Sequence, residues 1–162
     1  MSGETNLTKL LSSIQPEILP HTHVFVTIPV DKALPTGIEP VMVFREREGN
    51  TLILREDQAQ AAGLAGTFRC RMITLNVHSA LEGVGFLAAI TARLSAAGIG
   101  TNPVSAFFHD HLFVPAQGGR CDGGFAGADA GERLTSGKSR CQEVILSAPL
   151  GCRCFRGGLR RV

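Results

Sequence analysis

The sequence lacks the features that mark a membrane-spanning or secreted protein. No uninterrupted apolar stretch approaches the roughly 18 residues that suggest a transmembrane helix. Residues 1–10 contain no basic segment followed by a hydrophobic one, so we expect no signal peptide and a cytoplasmic location. Hydrophobic residues nevertheless make up 44% of the 162 residues, which argues against disorder throughout. The length leaves room for one medium-sized domain or two small ones.

Charge, glycine and cysteine are unevenly distributed, and the break falls after Ala116. Residues 1–116 carry a net charge of −2, whereas residues 117–162 carry +4. The second segment also holds 10 of the 19 glycines and four of the five cysteines. The sequence therefore divides into a mildly acidic globular body and a basic tail.

The tail matches no known kind of site. Its cysteines follow the spacing C-x19-C-x10-C-x-C, without the C-x2-C pairs of zinc sites, and a disulfide framework would not suit a cytoplasmic protein. The basic run 153–161 follows no groove-reading helix, so we expect no nucleic-acid partner. We interpret residues 117–162 as disordered or as the product of a reading-frame shift. With suitable codons, a shift of one base at residue 117 would encode an amphipathic Ala/Leu-rich helix.

Hydrophobic periodicity predicts four elements in the first part of the body. A helix over 7–14 has Asn6 or Thr5 as its candidate N-cap, and a β-branched strand covers 23–28. A hairpin spans 41–54, with Gly49 and Asn50 expected to supply the positive φ angles of its turn, and a short helix over 56–62 follows.

The second part of the body predicts a β-α-β-β unit. A strand over 71–77 leads to a helix over 82–97, which ends at Gly98. Strands over 102–108 and 111–114 follow, and the pattern stops where a further helix would begin.

Both parts are fragments of the βαββαβ plan, which predicts an α+β fold with helices on one face of an antiparallel sheet. We assign residues 1–65 to a first unit and residues 66–116 to a second unit that lacks its last helix. Residues 117–162 are expected to be irregular.

The turn between the strand and the helix of the second unit is a candidate ligand site. A helix N-terminus presents free N–H groups that suit a carboxylate, and Gly83 and Gly85 would allow close approach to the backbone. The same residues fit an ordinary capped turn, with Ser79 as N-cap and Glu82 completing a capping box. The two interpretations are compatible, and both stay open.

Two further motifs carry chemically active side chains. The sequence His109-Asp110-His111 could bind a metal ion or act as a general base, although it also fits a β-turn. Cys70 lies between two arginines that could lower its pKa, but a single cysteine at a strand start more often packs in the core. We favour the structural role for both, and keep a small enzyme or metal-binding protein as the alternative function.

Several stretches resemble the small bacterial ACT-domain proteins. The similarity is carried by residues 41–54, 68–86, 97–99 and 108–115, and it extends over about residues 5–116. It implies two tandem ACT-like units of ferredoxin-like βαββαβ fold, with sheets that join side by side. It also implies a non-catalytic regulatory role. From the sequence itself we expect no cofactor, no metal and no membrane partner.

The resemblance further implies a small ligand, often an amino acid, held at a domain or subunit interface, and a homodimer. In this sequence the ligand carboxylate would meet backbone N–H groups between Leu81 and Gly85. The residues that we expect to contact it are Asn76, His78, Ser79, Leu81, Gly83, Val84, Gly85 and Asn102.

Overall fold

The computed structural model describes residues 3–116 and 139–147, which form six strands and four helices. In chain order these are α1 (Leu7–Ser13), β1 (Pro16–Ile28), β2 (Met42–Arg45), β3 (Asn50–Arg55), α2 (Glu56–Ala61), β4 (Thr67–Leu75), α3 (Phe86–Ala96), β5 (Asn102–Ser105), β6 (Asp110–Pro115) and α4 (Arg140–Leu146). No helix among these residues is long and apolar enough to cross a bilayer.

The six strands form one antiparallel sheet in the order β2-β3-β1-β4-β6-β5. The two units have equivalent strand orders from the edge to the centre of the sheet, β2-β3-β1 in the first and β5-β6-β4 in the second. Each unit contributes an outer hairpin and one central strand. Strands β1 and β4 pair with each other, for example at Ile18 and Ile73. Each central strand therefore has one neighbour from its own unit, β3 or β6, and one from the other unit. The predicted α+β fold and the side-by-side sheets are confirmed.

The helices of the described residues pack on one face of the sheet. The first core lies under α1, α3 and α4, and consists of Leu10, Ile14, Ile73, Leu75, Phe86, Ile90, Leu94, Ile99, Leu112, Val114, Cys141 and Ile145. Helix α1 belongs to the first unit in sequence but packs over the second. The β4–β6 half of the sheet is therefore covered by three helices.

The other half of this face is covered more thinly. The second core contains Ala59 of α2 packed on β1 and β3, with partly buried Ile38 and Leu64 at its margin. Residues 29–41, which follow β1, form no helix, whereas α3 follows β4 at the equivalent point of the second unit. The opposite face of the sheet buries a third cluster, made of Ile53, Cys70, Met72 and Phe113.

The predicted elements are all present, but several bounds and local details differ; for example, β5 ends at Ser105 and not at residue 108, and β4 covers Thr67–Leu75 and not 71–77. Strand β1 starts at Pro16 and carries a register shift between Ile18 and Thr22, which accommodates Pro20. The β2–β3 hairpin forms without positive φ at Gly49 or Asn50, so that part of the prediction is wrong. Glycine is needed at position 49 for space, because a Cβ would lie 2.7 Å from Thr27 Oγ1.

The start of α3 also differs from the prediction. The helix begins at Phe86, four residues later than predicted, and its N-cap is Gly85 with φ of 90°. The predicted capping box of Ser79 and Glu82 is wrong, because both residues precede the N-cap.

Nine residues of the tail are described, and they are helical where an irregular segment was expected. Ser139 caps α4 in a capping box with Gln142, and Cys141 and Ile145 are buried in the first core. Arg93 of α3 donates a hydrogen bond of 2.6 Å to the Ile145 carbonyl oxygen. The remaining tail residues, 117–138 and 148–162, lie outside the described residues.

Candidate ligand-binding site

The β4–α3 loop, residues 76–85, contains most of the predicted ligand-binding residues. A buried carboxylate attaches it to the neighbouring hairpin: Asp110, 5% exposed, accepts hydrogen bonds from the hydroxyls of Ser79 (3.0 Å) and Ser105 (2.6 Å). Hydrogen bonds to a charged acceptor are among the stronger ones in proteins. The Ser79 hydroxyl thus attaches the loop to the hairpin and does not cap α3, whereas its predicted contact with a ligand stays a prediction.

The N-terminal segment lies along the same loop. The N–H of Glu4 donates to the His78 carbonyl (2.9 Å), and the N–H of Ala80 donates to the Glu4 carbonyl (2.9 Å). Glycine is needed at position 3, because the Cβ of any other residue would come within 2.5 Å of the Ser79 and Ala80 backbone. These contacts engage the His78 carbonyl and the Ala80 N–H, both in the first half of the loop.

The second half of the loop leads into an uncapped helix. Gly83 closes a turn by donating its N–H to the Ala80 carbonyl (2.8 Å), and Gly85 makes no side-chain hydrogen bond as N-cap of α3. Leu81 and Val84 are 65% and 86% exposed. The loop therefore combines first-turn N–H groups without a side-chain cap and two exposed aliphatic side chains, which together suit a small carboxylate with an apolar part.

The β5–β6 hairpin borders this loop with aromatic side chains. Phe107 and Phe108 are exposed, and their ring centroids are 4.9 Å apart. The His78 ring lies 5.7 Å from the Phe108 ring. His78 thus packs at the margin of the loop.

Two predicted residues are not brought into this arrangement. The Asn76 amide donates to Glu17 Oε2 at 3.0 Å, towards the start of β1. Asn102 begins β5, whereas Ser105 ends it beside Asp110, so about 10 Å of extended strand separates Asn102 from the Asp110 end of the hairpin.

The three side chains of His109-Asp110-His111 do not converge. His109 Nδ1 lies 3.5 Å from the Val77 carbonyl oxygen, and His111 Nδ1 lies 3.1 Å from Thr74 Oγ1. Burial lowers the pKa of His111, which favours the neutral imidazole. Among residues 3–116 and 139–147, no three His, Cys, Asp or Glu side chains are grouped as metal ligands.

Cys70 is packed in the sheet. Its Sγ donates to the His23 carbonyl at 3.3 Å, and burial raises its pKa to about 12. A thiol with this pKa remains protonated at neutral pH, so the two neighbouring arginines do not activate it. Sequence reasoning missed the roles of Asp110 and Glu4, which depend on contacts between residues far apart in the chain.

The fold is that of two tandem ACT-like units, and sequence comparison agrees. Two ACT-domain family models match the chain, one over residues 2–71 and the other over residues 67–118. The chain belongs to the family of tandem ACT-domain proteins, whose domains are regulatory ligand-binding modules. No protein with a curated description matches the sequence.

Among solved structures, a Vibrio cholerae protein of unknown function, described as a possible transport protein, shares 41% identity and a TM-score of 0.60. The match covers 67% of this chain and 83% of that one. An Agrobacterium tumefaciens protein shares 22% identity and a TM-score of 0.53, over 64% of this chain and 78% of its own, and so shows the fold alone.

Proposed function

We propose that this protein is a non-catalytic regulator that binds an amino acid at the second half of the β4–α3 loop. The observation that carries the proposal is the uncapped N-terminus of α3 beside the exposed side chains of Leu81 and Val84. The ligand carboxylate would accept hydrogen bonds from the first-turn N–H groups, and its side chain would cover the two aliphatic residues. Asp110 holds the loop in position through Ser79.

Regulation then requires only that the ligand favours one arrangement of the protein over another. The loop is tied both to the β5–β6 hairpin and to the N-terminal segment, so a bound ligand can change the balance between these contacts. We place this role in the cytoplasm.

A thermal-shift screen of the full chain against the twenty amino acids tests the proposal. We expect one or a few of them to raise the melting temperature. Val84→Asp should abolish the shift, because its carboxylate competes for the same N–H groups, whereas Val84→Asn, of nearly the same shape, should retain most of it. The absence of any shift, or equal loss in both variants, would refute the proposed site.

We also propose that the protein forms a homodimer through the β2 edge of the sheet. Strand β2 and the preceding residue expose Val41, Val43 and Phe44, whereas the opposite edge strand β5 contains Pro103, which cannot donate a ladder hydrogen bond. Sedimentation equilibrium should show a dimer that Phe44→Glu dissociates. Phe107→Glu, an equally exposed phenylalanine at the other edge, should remain dimeric, and a monomeric wild type would refute the proposal.

A further inference from the structure

The N-terminal segment, residues 3–6, belongs to the first unit but contacts the β4–α3 loop of the second. Glu4 and Ser79 form an isolated parallel β-bridge. Two backbone hydrogen bonds of 2.9 Å hold this bridge, one from the Glu4 N–H to the His78 carbonyl and one from the Ala80 N–H to the Glu4 carbonyl. Backbone of the first unit is thus attached directly to the loop that we propose as the ligand site of the second.

The contact continues to the start of α3. Leu7, the first residue of α1, places its Cδ2 3.5 Å from where a Cβ of Gly85 would lie, which is an ordinary van der Waals distance. Gly85 is the N-cap of α3 and borders the proposed amino-acid site. Residues 3–7 therefore flank the loop from its first half to its end, so a movement of the N-terminal segment acts on backbone close to that site.

The N-terminal segment is held to the loop weakly. Residues 3–6 contain no large apolar side chain. The Glu4 carboxylate accepts hydrogen bonds from the N–H groups of Thr5 and Asn6, and it pairs at 3.6 Å with Lys9 of α1. These side-chain contacts do not reach the loop. Because a segment with few buried apolar contacts opens at low cost, the N-terminal segment can leave the loop without unfolding of the protein.

Two other attachments remain when the segment leaves. Helix α1 stays packed, because Leu10 and Ile14 are buried in the first core. The Ser79 hydroxyl keeps its hydrogen bond to Asp110. The released segment therefore stays near its docking position and rebinds readily, since a tether keeps its local concentration high. The loop then has two states, which differ in whether its backbone pairs with Glu4.

We propose that the N-terminal segment regulates the amino-acid site by docking on the β4–α3 loop and leaving it. The docked segment fixes the backbone of the loop and favours the shape that binds the amino acid. When the segment leaves, the loop loses this support and binds the amino acid less tightly. Because coupling between two sites is reciprocal, the amino acid should also favour the docked segment. The release of the segment is independent of the proposed function, whereas the coupling rests on it.

Hydrogen exchange of the isotope-labelled full chain, followed by NMR, tests the release. The Ala80 amide should exchange at least about tenfold faster than the Leu94 amide of α3, because local release frees the Ala80 N–H whereas Leu94 is fully buried. Equal exchange rates at the two amides would show that the segment leaves only when the whole protein unfolds, and would overturn the proposal.

Two glycines provide a matched pair of variants. Gly3→Val should accelerate Ala80 exchange at least about tenfold further, since a Cβ at residue 3 would lie 2.5 Å from the Ala80 nitrogen and displace the segment. Gly100→Val should leave the rate unchanged, because a Cβ there meets no atom within 4 Å. Glu4→Pro, which lacks the N–H that the His78 carbonyl accepts, should reproduce the effect of Gly3→Val. Equal effects of the two valine variants would contradict the proposal.

An equimolar mixture of the twenty amino acids is the probe for the coupling. In the wild type it should slow Ala80 exchange at least about fivefold. Gly3→Val should reduce the rise in melting temperature that the mixture produces, whereas Gly100→Val should not. A mixture that raises the melting temperature but leaves Ala80 exchange unchanged would exclude the coupling. If the mixture does not raise the melting temperature at all, the proposed function fails and the coupling fails with it, whereas the release is judged from exchange without the mixture.

Discussion

The two units share one sheet and one strand order, but they cover it differently. The second unit has α3 after its first strand and is further covered by α1 and α4. The first unit has a loop at the position of α3, and α2 is the one helix of residues 3–116 and 139–147 that covers it. The hairpins differ in the same way. Asp110 accepts a hydrogen bond from Ser79 of the β4–α3 loop, whereas Asn50 lines a cleft between its hairpin and the loop after β1. The same strand order is thus combined with a well-covered second unit and a thinly covered first unit.

The largest effect that should separate the two units is the loss of a buried side chain in the well-covered one. Ile90 of α3 is fully buried, so Ile90→Ala should lower the free energy of unfolding by about 2–5 kcal/mol. Val30→Ala in the exposed loop of the other unit should change it by less than about 0.5 kcal/mol. Urea denaturation measures both, and similar losses would show that the two units are equally well packed.

The hairpin residues should differ less strongly. Asp110→Ala removes the acceptor of two hydroxyls and should cost about 2–3 kcal/mol, because Ser79 and Ser105 lose a charged partner. Asn50→Ala at the equivalent position should cost under about 1 kcal/mol. If the Asn50 variant were the less stable of the two, the contrast between the hairpins would be wrong.

We call the paired strands β1 and β4 the seam between the units. The free energy of unfolding should depend on pH through a histidine on this seam. His23 on β1 is buried beside Phe113, and desolvation lowers its pKa below the usual 6.5. The unfolded chain then binds the proton more readily, so stability should be complete above about pH 6.5 and fall as the pH drops towards the folded-state pKa. Urea midpoints measured against pH should show this slope. His23→Phe should reduce it, and an unchanged slope would exclude His23 as its source.

The smallest effect concerns Cys70, which also lies on the seam. Because burial raises its pKa to about 12, the native thiol should react with iodoacetamide far more slowly than in urea. Peptide mass spectrometry that follows the Cys70 peptide measures this, and rapid labelling of the folded protein would show that the seam opens.

The reading-frame hypothesis for residues 117–162 remains a proposal. It is supported by the ACT-domain match, which ends at residue 118. Resequencing the gene on both strands should reveal an added or missing base near codon 117, and an unbroken frame would exclude a sequencing error.

Sequence reasoning succeeded where the cause of a structure is local. Asn6 caps α1 by accepting a hydrogen bond from the Lys9 N–H, three residues away, and Gly98 follows α3 with the left-handed φ that ends it. The capping box predicted for Ser79 and Glu82 also used local spacing, but it was wrong: the N-cap of α3 is Gly85, and the Ser79 hydroxyl donates to Asp110, 31 residues further on.

The features of the candidate sites that sequence missed all depend on distant pairs. The N-terminal segment reaches the loop at residues 78–80, and Lys32 lines the same cleft as Arg45 and Asn50 of the β2–β3 hairpin. Neither periodicity nor a capping motif can predict which distant residues come into contact, because these contacts follow from the way the sheet brings the hairpins and loops together. The order of the elements could be predicted, whereas the partners of their polar side chains could not.

The pairing of β1 with β4 has a consequence for how the chain can be divided. A cut near residue 65 would leave each fragment with a bare inner strand in place of a protected edge, so neither half is an independent module that a gene fusion could transplant. When the two fragments are co-expressed as separate polypeptides, they should instead associate into one complex. The circular dichroism spectrum of that complex should match that of the intact chain.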